Sequence, residues 1–225
     1  MVSVLSVFSL IIFSIASLSF LLLAYVAIRN DPKYKVNQLF SLAFIFAFFY
    51  FIFMGLYVLP AFVSLEKYDQ YFALLGLIFI NLSIATFAFV SQYIQHANVQ
   101  TKQLIIIFIV FLVGLFATYL MTFYFNDLPI LFLGFTLLNI ALSINSIWFV
   151  VVLYIVAKKE KSDMLFKKKV NNYNIGFILF NILSVLGWTL ALFSPLSPEL
   201  APLPPGILTL IASFLMARSF LMKAK

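Results

Sequence analysis

Gln103–Phe125 reads QLIIIFIVFLVGLFATYLMTFYF, twenty-three residues without one charge. At 1.5 Å of rise per residue, a helix of this length reaches about 35 Å, enough for the roughly 30 Å of hydrocarbon in a bilayer. Residues 4–28, 36–59 and 71–95 before it, and 129–157, 170–193 and 206–222 after it, are runs of the same kind. The last is near the lower limit of about 17 residues. The chain is 65% hydrophobic and 9% charged, with mean hydropathy +1.15, where a soluble domain would carry about 25% charge. The sequence therefore predicts an all-α polytopic integral membrane protein: a seven-transmembrane-helix bundle forming one domain over residues 1–225. No hydrophilic stretch between the spans is long enough to fold by itself.

The charges have a side. Of the 14 Lys and Arg residues, only Lys67 falls outside one set of alternate gaps. Arg29, Lys33 and Lys35 follow the first span and Lys102 follows the third. Lys158, Lys159, Lys161 and Lys167, Lys168, Lys169 follow the fifth, and Arg218, Lys223 and Lys225 close the chain. Lys67 stands with Glu66, Asp69, Asp127 and Glu199 in the other set. The positive-inside rule then puts the N-terminus outside and the C-terminus in the cytoplasm, as expected of a multi-pass protein of the cell membrane. The net charge of +7 reflects orientation and does not require nucleic acid. Lys158, Lys159, Lys167, Lys168 and Lys169 are expected to meet anionic lipid headgroups. The first segment is expected to be a membrane span and not a signal peptide, because it lacks a basic leading region and is too long for an apolar segment of about 7–15 residues. Tyr25, Tyr34, Tyr93, Tyr154 and Tyr173 near one boundary, and Tyr57, Tyr68, Tyr71, Tyr119 and Tyr124 near the other, read as interfacial anchors.

The inventory of reactive groups is sparse. There is no cysteine and one histidine, His96, at the end of a span. Thiolate metal sites, disulfides and Cys nucleophiles are thereby excluded, and no metal or cofactor is expected. No acid or base sits mid-span, which removes paired aspartates, a zinc-protease helix and a retinal-type lysine. The expectation is a protein that is not an enzyme. No proline interrupts a span, which favours straight helices, and no duplication relates the first three spans to the last three as in many transporters. Pro129 and Pro205 suit the first turns of the fifth and seventh helices.

What remains is neutral polarity. Thr136, Asn139, Ser143 and Ser146 recur at spacings of three and four on the fifth span, and Asn181, Ser184 and Trp188 do so on the sixth. The third span carries Asn81, Ser83 and Thr86, with Gln92 nearer its cytoplasmic end. An amide without a partner in hydrocarbon costs several kcal/mol, so these faces are expected to point inward. Two readings follow. The plainer one is interhelical hydrogen-bond glue, at about 0.6–2 kcal/mol per bond. The other is a neutral ligand held between the third, fifth and sixth helices by Asn81, Thr86, Asn139, Ser143, Ser146, Asn181, Ser184 and Trp188.

The stretch from Tyr25 to Tyr50, YVAIRNDPKYKVNQLFSLAFIFAFFY, resembles the turn between helices one and two of the seven-transmembrane sensor region of prokaryotic histidine kinases. That family has a basic turn followed by Asn-x-Leu-Phe, matched here by Asn37, Leu39 and Phe40. Its aromatic further along, usually tryptophan, corresponds to Phe49 or Tyr50. The resemblance implies a sensor- or receptor-like module. Because this chain ends at Lys225 without a kinase domain, such a module would act through a membrane or cytoplasmic protein partner. An accessory subunit of a membrane complex and a carrier for a neutral solute are the alternative expectations.

Overall fold

The computed structural model describes residues 4–58, 69–96, 100–124, 127–159, 164–180 and 203–221. Among these, seven helices and no strands occur: α1 (Val4–Asn30), α2 (Lys35–Val58), α3 (Asp69–His96), α4 (Thr101–Phe123), α5 (Leu128–Lys159), α6 (Met164–Ile178) and α7 (Leu203–Leu221). The first five are long and apolar enough to cross a membrane, and their ends agree with the sequence reading to within two residues.

The helix ends have local causes. Pro32 disfavours helical geometry at Asp31 and so ends α1 at Asn30. The Asp31 carboxylate accepts from the Lys33 backbone N–H at 3.0 Å. Asn37 and Gln38, in the first turn of α2, then reach back and donate to the carbonyls of Asp31 (3.2 Å) and Pro32 (2.8 Å). The α1–α2 connection is thus fastened by its own side chains. At the other end Asp127 caps α5: its carboxylate accepts from Ile130 N–H at 3.2 Å, with Pro129 in the first turn where its missing N–H costs nothing. Pro204 and Pro205 lie in the first turn of α7 for the same reason.

Consecutive helices run antiparallel: Phe13 meets Phe51 while Phe20 meets Phe44, Ser83 meets Ala43 while Gly76 meets Met54, Gly114 meets Ala141 while Ala117 meets Gly134, and Lys169 meets Ser219 while Gly176 meets Ala212. Arg29, Lys33, Lys35, Lys102, Lys158, Lys159, Lys167, Lys168, Lys169 and Arg218 therefore gather at one end of the bundle. In cross-section α1, α2, α3, α5, α6 and α7 form a closed ring. Helix α4 lies outside it, packed chiefly on α3 and α5, and is the least buried of the five long spans. Its outward face carries Ile105, Phe108, Leu112, Phe116 and Phe123, all exposed. With similar faces on the other helices this apolar girdle is the lipid-contacting surface.

The inside of the ring is filled with aromatic side chains. Phe40 of α2 is the hub: its ring centroid lies 6.1 Å from Phe87 of α3, 6.1 Å from Phe149 of α5, 5.2 Å from Tyr173 of α6 and 5.7 Å from Phe220 of α7. Helix α1 joins one turn further along, where Phe20 meets Phe44, Phe51 and Phe180. Each tilted or edge-on pair adds about 0.5–1.5 kcal/mol beyond the area that it buries.

Two expectations are corrected. Helix α6 starts at Met164, not near residue 170, so Lys167, Lys168 and Lys169 lie in its opening turns rather than in a connector. Lysine is a good helix former, and the half-buried Phe166 holds this turn against the core. Tyr173 is consequently well inside the helix: it is buried against Phe40 and Phe220 and is no interfacial anchor. Just beyond α6 the backbone passes from α to π geometry at residues 179–180 without any proline.

Candidate functional site

The best-defined polar feature lies where α3, α4 and α5 meet. Asn81 is buried, and its side-chain amide donates to the Leu77 carbonyl at 2.8 Å and to the Thr118 hydroxyl of α4 at 3.3 Å. Thr118 in turn donates to the Gly114 carbonyl at 2.9 Å, and Thr122 to that of Thr118 at 2.9 Å. Gly114 makes this possible. A Cβ there would collide with Asn81 Oδ1, and on its other side it would lie 3.6 Å from the Cβ of Ala141 on α5. Asn81, Gly114 and Ala141 therefore close the seam with every Asn81 donor used. Around this level the arrangement is interhelical glue.

The other expected ligand-binding residues fare differently. Thr86 is half-buried and donates to the Leu82 carbonyl at 2.7 Å; Asn139, also half-buried, donates to that of Phe135 at 2.9 Å. Each of these two bonds stays within one helix. Ser143 is half-buried and Ser146 fully buried. Thr136, expected on the same inward face, is exposed and bonded to the Phe132 carbonyl of its own helix. Asn181, Ser184 and Trp188 lie outside the described residues. The structure thus brings Asn81 to a joint with α4, where the sequence reading had grouped it with α5 and α6.

A second set of polar groups is buried without protein partners among the described residues. It comprises both amide atoms of Gln92 on α3, Oε1 of Gln103 on α4, the Ser146 hydroxyl on α5, and the Tyr173 hydroxyl and Asn174 Oδ1 on α6. Each such atom costs about 1–3 kcal/mol unless water, a ligand or another packing arrangement satisfies it. Gln103, Asn174 and the buried Asn145 escaped the sequence reading. Gln103 and Asn174 stand near the ends of apolar runs, where a polar residue looks interfacial. The available signal for Asn145 was its spacing of four from Ala141 and from Phe149.

No metal-binding cluster of His, Cys, Asp or Glu occurs among the described residues, and no Asp, Glu, Lys, Arg or His lies in the middle of the five long helices. Comparison with protein-family models, with curated proteins and with solved structures finds no match to this chain. The fold and the polar inventory define an all-α membrane bundle with neutral interior polarity.

Proposed function

We propose that the chain is a non-enzymatic, sensor- or receptor-like membrane module that passes a change in its bundle to a protein partner at the basic end. One observation carries this reading. Asn37 fastens the α1–α2 turn, and three residues on Phe40 touches aromatic rings from α3, α5, α6 and α7 as well as Phe44 of its own helix. A shift of any of those four helices is felt at Phe40 and, within one helical turn, at a connection exposed at the end of the bundle. The Asn-x-Leu-Phe resemblance falls on these same residues. Asn37 is the fastener, Leu39 packs against the core, and Phe40 is the hub.

Under the positive-inside rule the basic end faces the cytoplasm of a cell membrane, with Lys158, Lys159, Lys167, Lys168 and Lys169 at the anionic headgroups. An axis filled by rings from six helices favours a sensor over a carrier, which needs a path through its centre. The ligand is neutral in this reading, because an ion would meet no compensating charge among the buried side chains.

The test uses the absence of native cysteine. Lys33→Cys, labelled with an environment-sensitive dye and placed in lipid nanodiscs, is screened with neutral amphiphiles, and the same preparation is assayed for counterflow in liposomes. A compound that shifts the dye without counterflow is expected, with Phe40→Leu weakening the dye shift while binding persists. Counterflow of a neutral solute would make the chain a carrier. Stoichiometric copurification with a membrane complex and no response to any compound would make it an accessory subunit.

A further inference from the structure

The seam closed by Asn81 continues toward the basic end, and its next polar level is not closed. Gly114 places Asn81 of α3 beside it and Ala141 of α5 in contact range, which sets the register of the three helices. Eleven residues make about three helical turns and return to the same face. Eleven residues further along α3 stands Gln92. Eleven residues back along the antiparallel α4 stands Gln103, and eleven further along α5 stands Val152. The trio Asn81, Gly114 and Ala141 is thus repeated three turns away as Gln92, Gln103 and Val152.

The two levels differ in chemistry. At the first, one amide meets a glycine and an alanine and has a hydroxyl partner. At the second, two amides share the level with a buried valine. Gln92 is 0% exposed, yet neither its Nε2 nor its Oε1 is bonded, and Gln103 Oε1 is buried and unbonded as well. A direct bond between the amides would have satisfied one donor and one acceptor; it is not formed. The level offers an N–H donor and two carbonyl acceptors that are buried, about one helical turn from the ends of α3 and α4 and so near the water boundary.

We propose that Gln92 and Gln103 hold one small neutral guest between α3 and α4 at the basic end, a molecule that presents a donor and an acceptor together, as water or a primary carboxamide does. Gln92 Nε2 donates to the guest's oxygen, and the guest donates to an Oε1 of Gln92 or Gln103. A charged guest is disfavoured, because the amides cannot neutralise it and the seam is removed from solvent. This site is independent of the sensor reading: a bound water here would stand even if no compound moved the α1–α2 turn.

Solid-state NMR in lipid bilayers tests it with Asn81 as an internal control. Magnetisation transfer is measured from water, and separately from isotope-labelled acetamide, to the side-chain nitrogens of Gln92 and Asn81. Transfer to Gln92 several-fold above that to the protein-bonded Asn81 is expected. Transfer from water alone identifies water as the guest, and an acetamide signal at Gln92 that displaces the water signal identifies the carboxamide class. Gln103→Leu, close to a helix end and mild for folding, is expected to remove the Gln92 signal while leaving the Asn81 resonance in place. Transfer to Gln92 no greater than to Asn81 from either source would overturn the proposal, as would a Gln92 signal indifferent to Gln103→Leu.

Discussion

At the scale of single residues, glycine 114 shows how a side chain that is missing can hold a bundle together. Its hydrogen leaves the only room for Asn81 Oδ1, so Gly114→Ala must push the amide away and break its bond to Thr118. The expected cost is about 1–3 kcal/mol, that of leaving a buried amide unpaired. Gly55 is the control, because a Cβ there would make ordinary contacts at 3.7 Å with Phe13 and 3.8 Å with Leu10. Gly55→Ala should be neutral or stabilising by up to about 1 kcal/mol, the helix-propensity difference. Reversible unfolding in mixed detergent micelles measures both, and equal effects at the two positions would remove the special role of Gly114. Phe40 makes the complementary case. In a soluble core Phe→Ala costs about 3–5 kcal/mol, but lipid is as apolar as the bundle interior, so the transfer part largely cancels and lost packing contacts remain. For Phe40→Ala we expect about 1–3 kcal/mol, against less than about 0.5 kcal/mol for Phe116→Ala on the lipid-facing side of α4. The same unfolding assay decides, and a Phe40→Ala effect no larger than that of Phe116→Ala would remove Phe40 from the centre of the bundle.

At the scale of elements, legibility followed the uniformity of the apolar runs. The first five helices were readable to within two residues because every gap between the runs carries at least one charge. Helix α6 was misjudged at its start for the same reason: Lys167, Lys168 and Lys169 look like the edge of a span when apolarity is the only signal, although they are helical. The error propagated to Tyr173, which a boundary near residue 170 would put at the interface and a start at Met164 puts in the axis. Facing was harder to read than extent. On α5 both the lipid side and the bundle side are apolar, so hydrophobicity gives the helix no rotational phase. The polar stripe was the only guide, and it misleads at Thr136, where a hydroxyl can satisfy itself on the carbonyl four residues back and tolerate lipid. The start of α6 has a direct consequence for hydrogen exchange. Only the first four N–H groups of a helix lack carbonyl partners, so with Met164 as its first residue the amides of Lys168 and Lys169 are bonded. They should exchange on the order of 100-fold more slowly than unstructured lysine amides, a protection expected of a helix that frays locally. Exchange at the free rate at both positions would return the boundary to residue 170.

At the scale of the whole molecule, the closed ring of six helices with α4 outside turns a sequence-level charge bias into a spatial one. The basic residues of three connections and of the end of α7 collect at one end only because every helix is antiparallel to the next, and a single crossing more or fewer would scatter them. The bias therefore tests orientation and crossing number together. The chain has no cysteine, so a thiol introduced at one exposed position is the only target for a membrane-impermeant maleimide. Lys33 in the α1–α2 turn and Lys158 near the end of α5 are exposed at the basic end, and Tyr124 is exposed at the opposite one. In intact cells Tyr124→Cys should label, whereas Lys33→Cys and Lys158→Cys should label only after the membrane is opened. This expectation rests on the attraction of each basic residue to an anionic leaflet, about 1 kcal/mol apiece. Labelling of Lys33→Cys with protection of Tyr124→Cys would invert the molecule and move the proposed partner to the outside. Opposite behaviour of Lys33→Cys and Lys158→Cys would break the antiparallel count itself, since the four crossings α2 to α5 separate the two positions and an even number returns the chain to the same side.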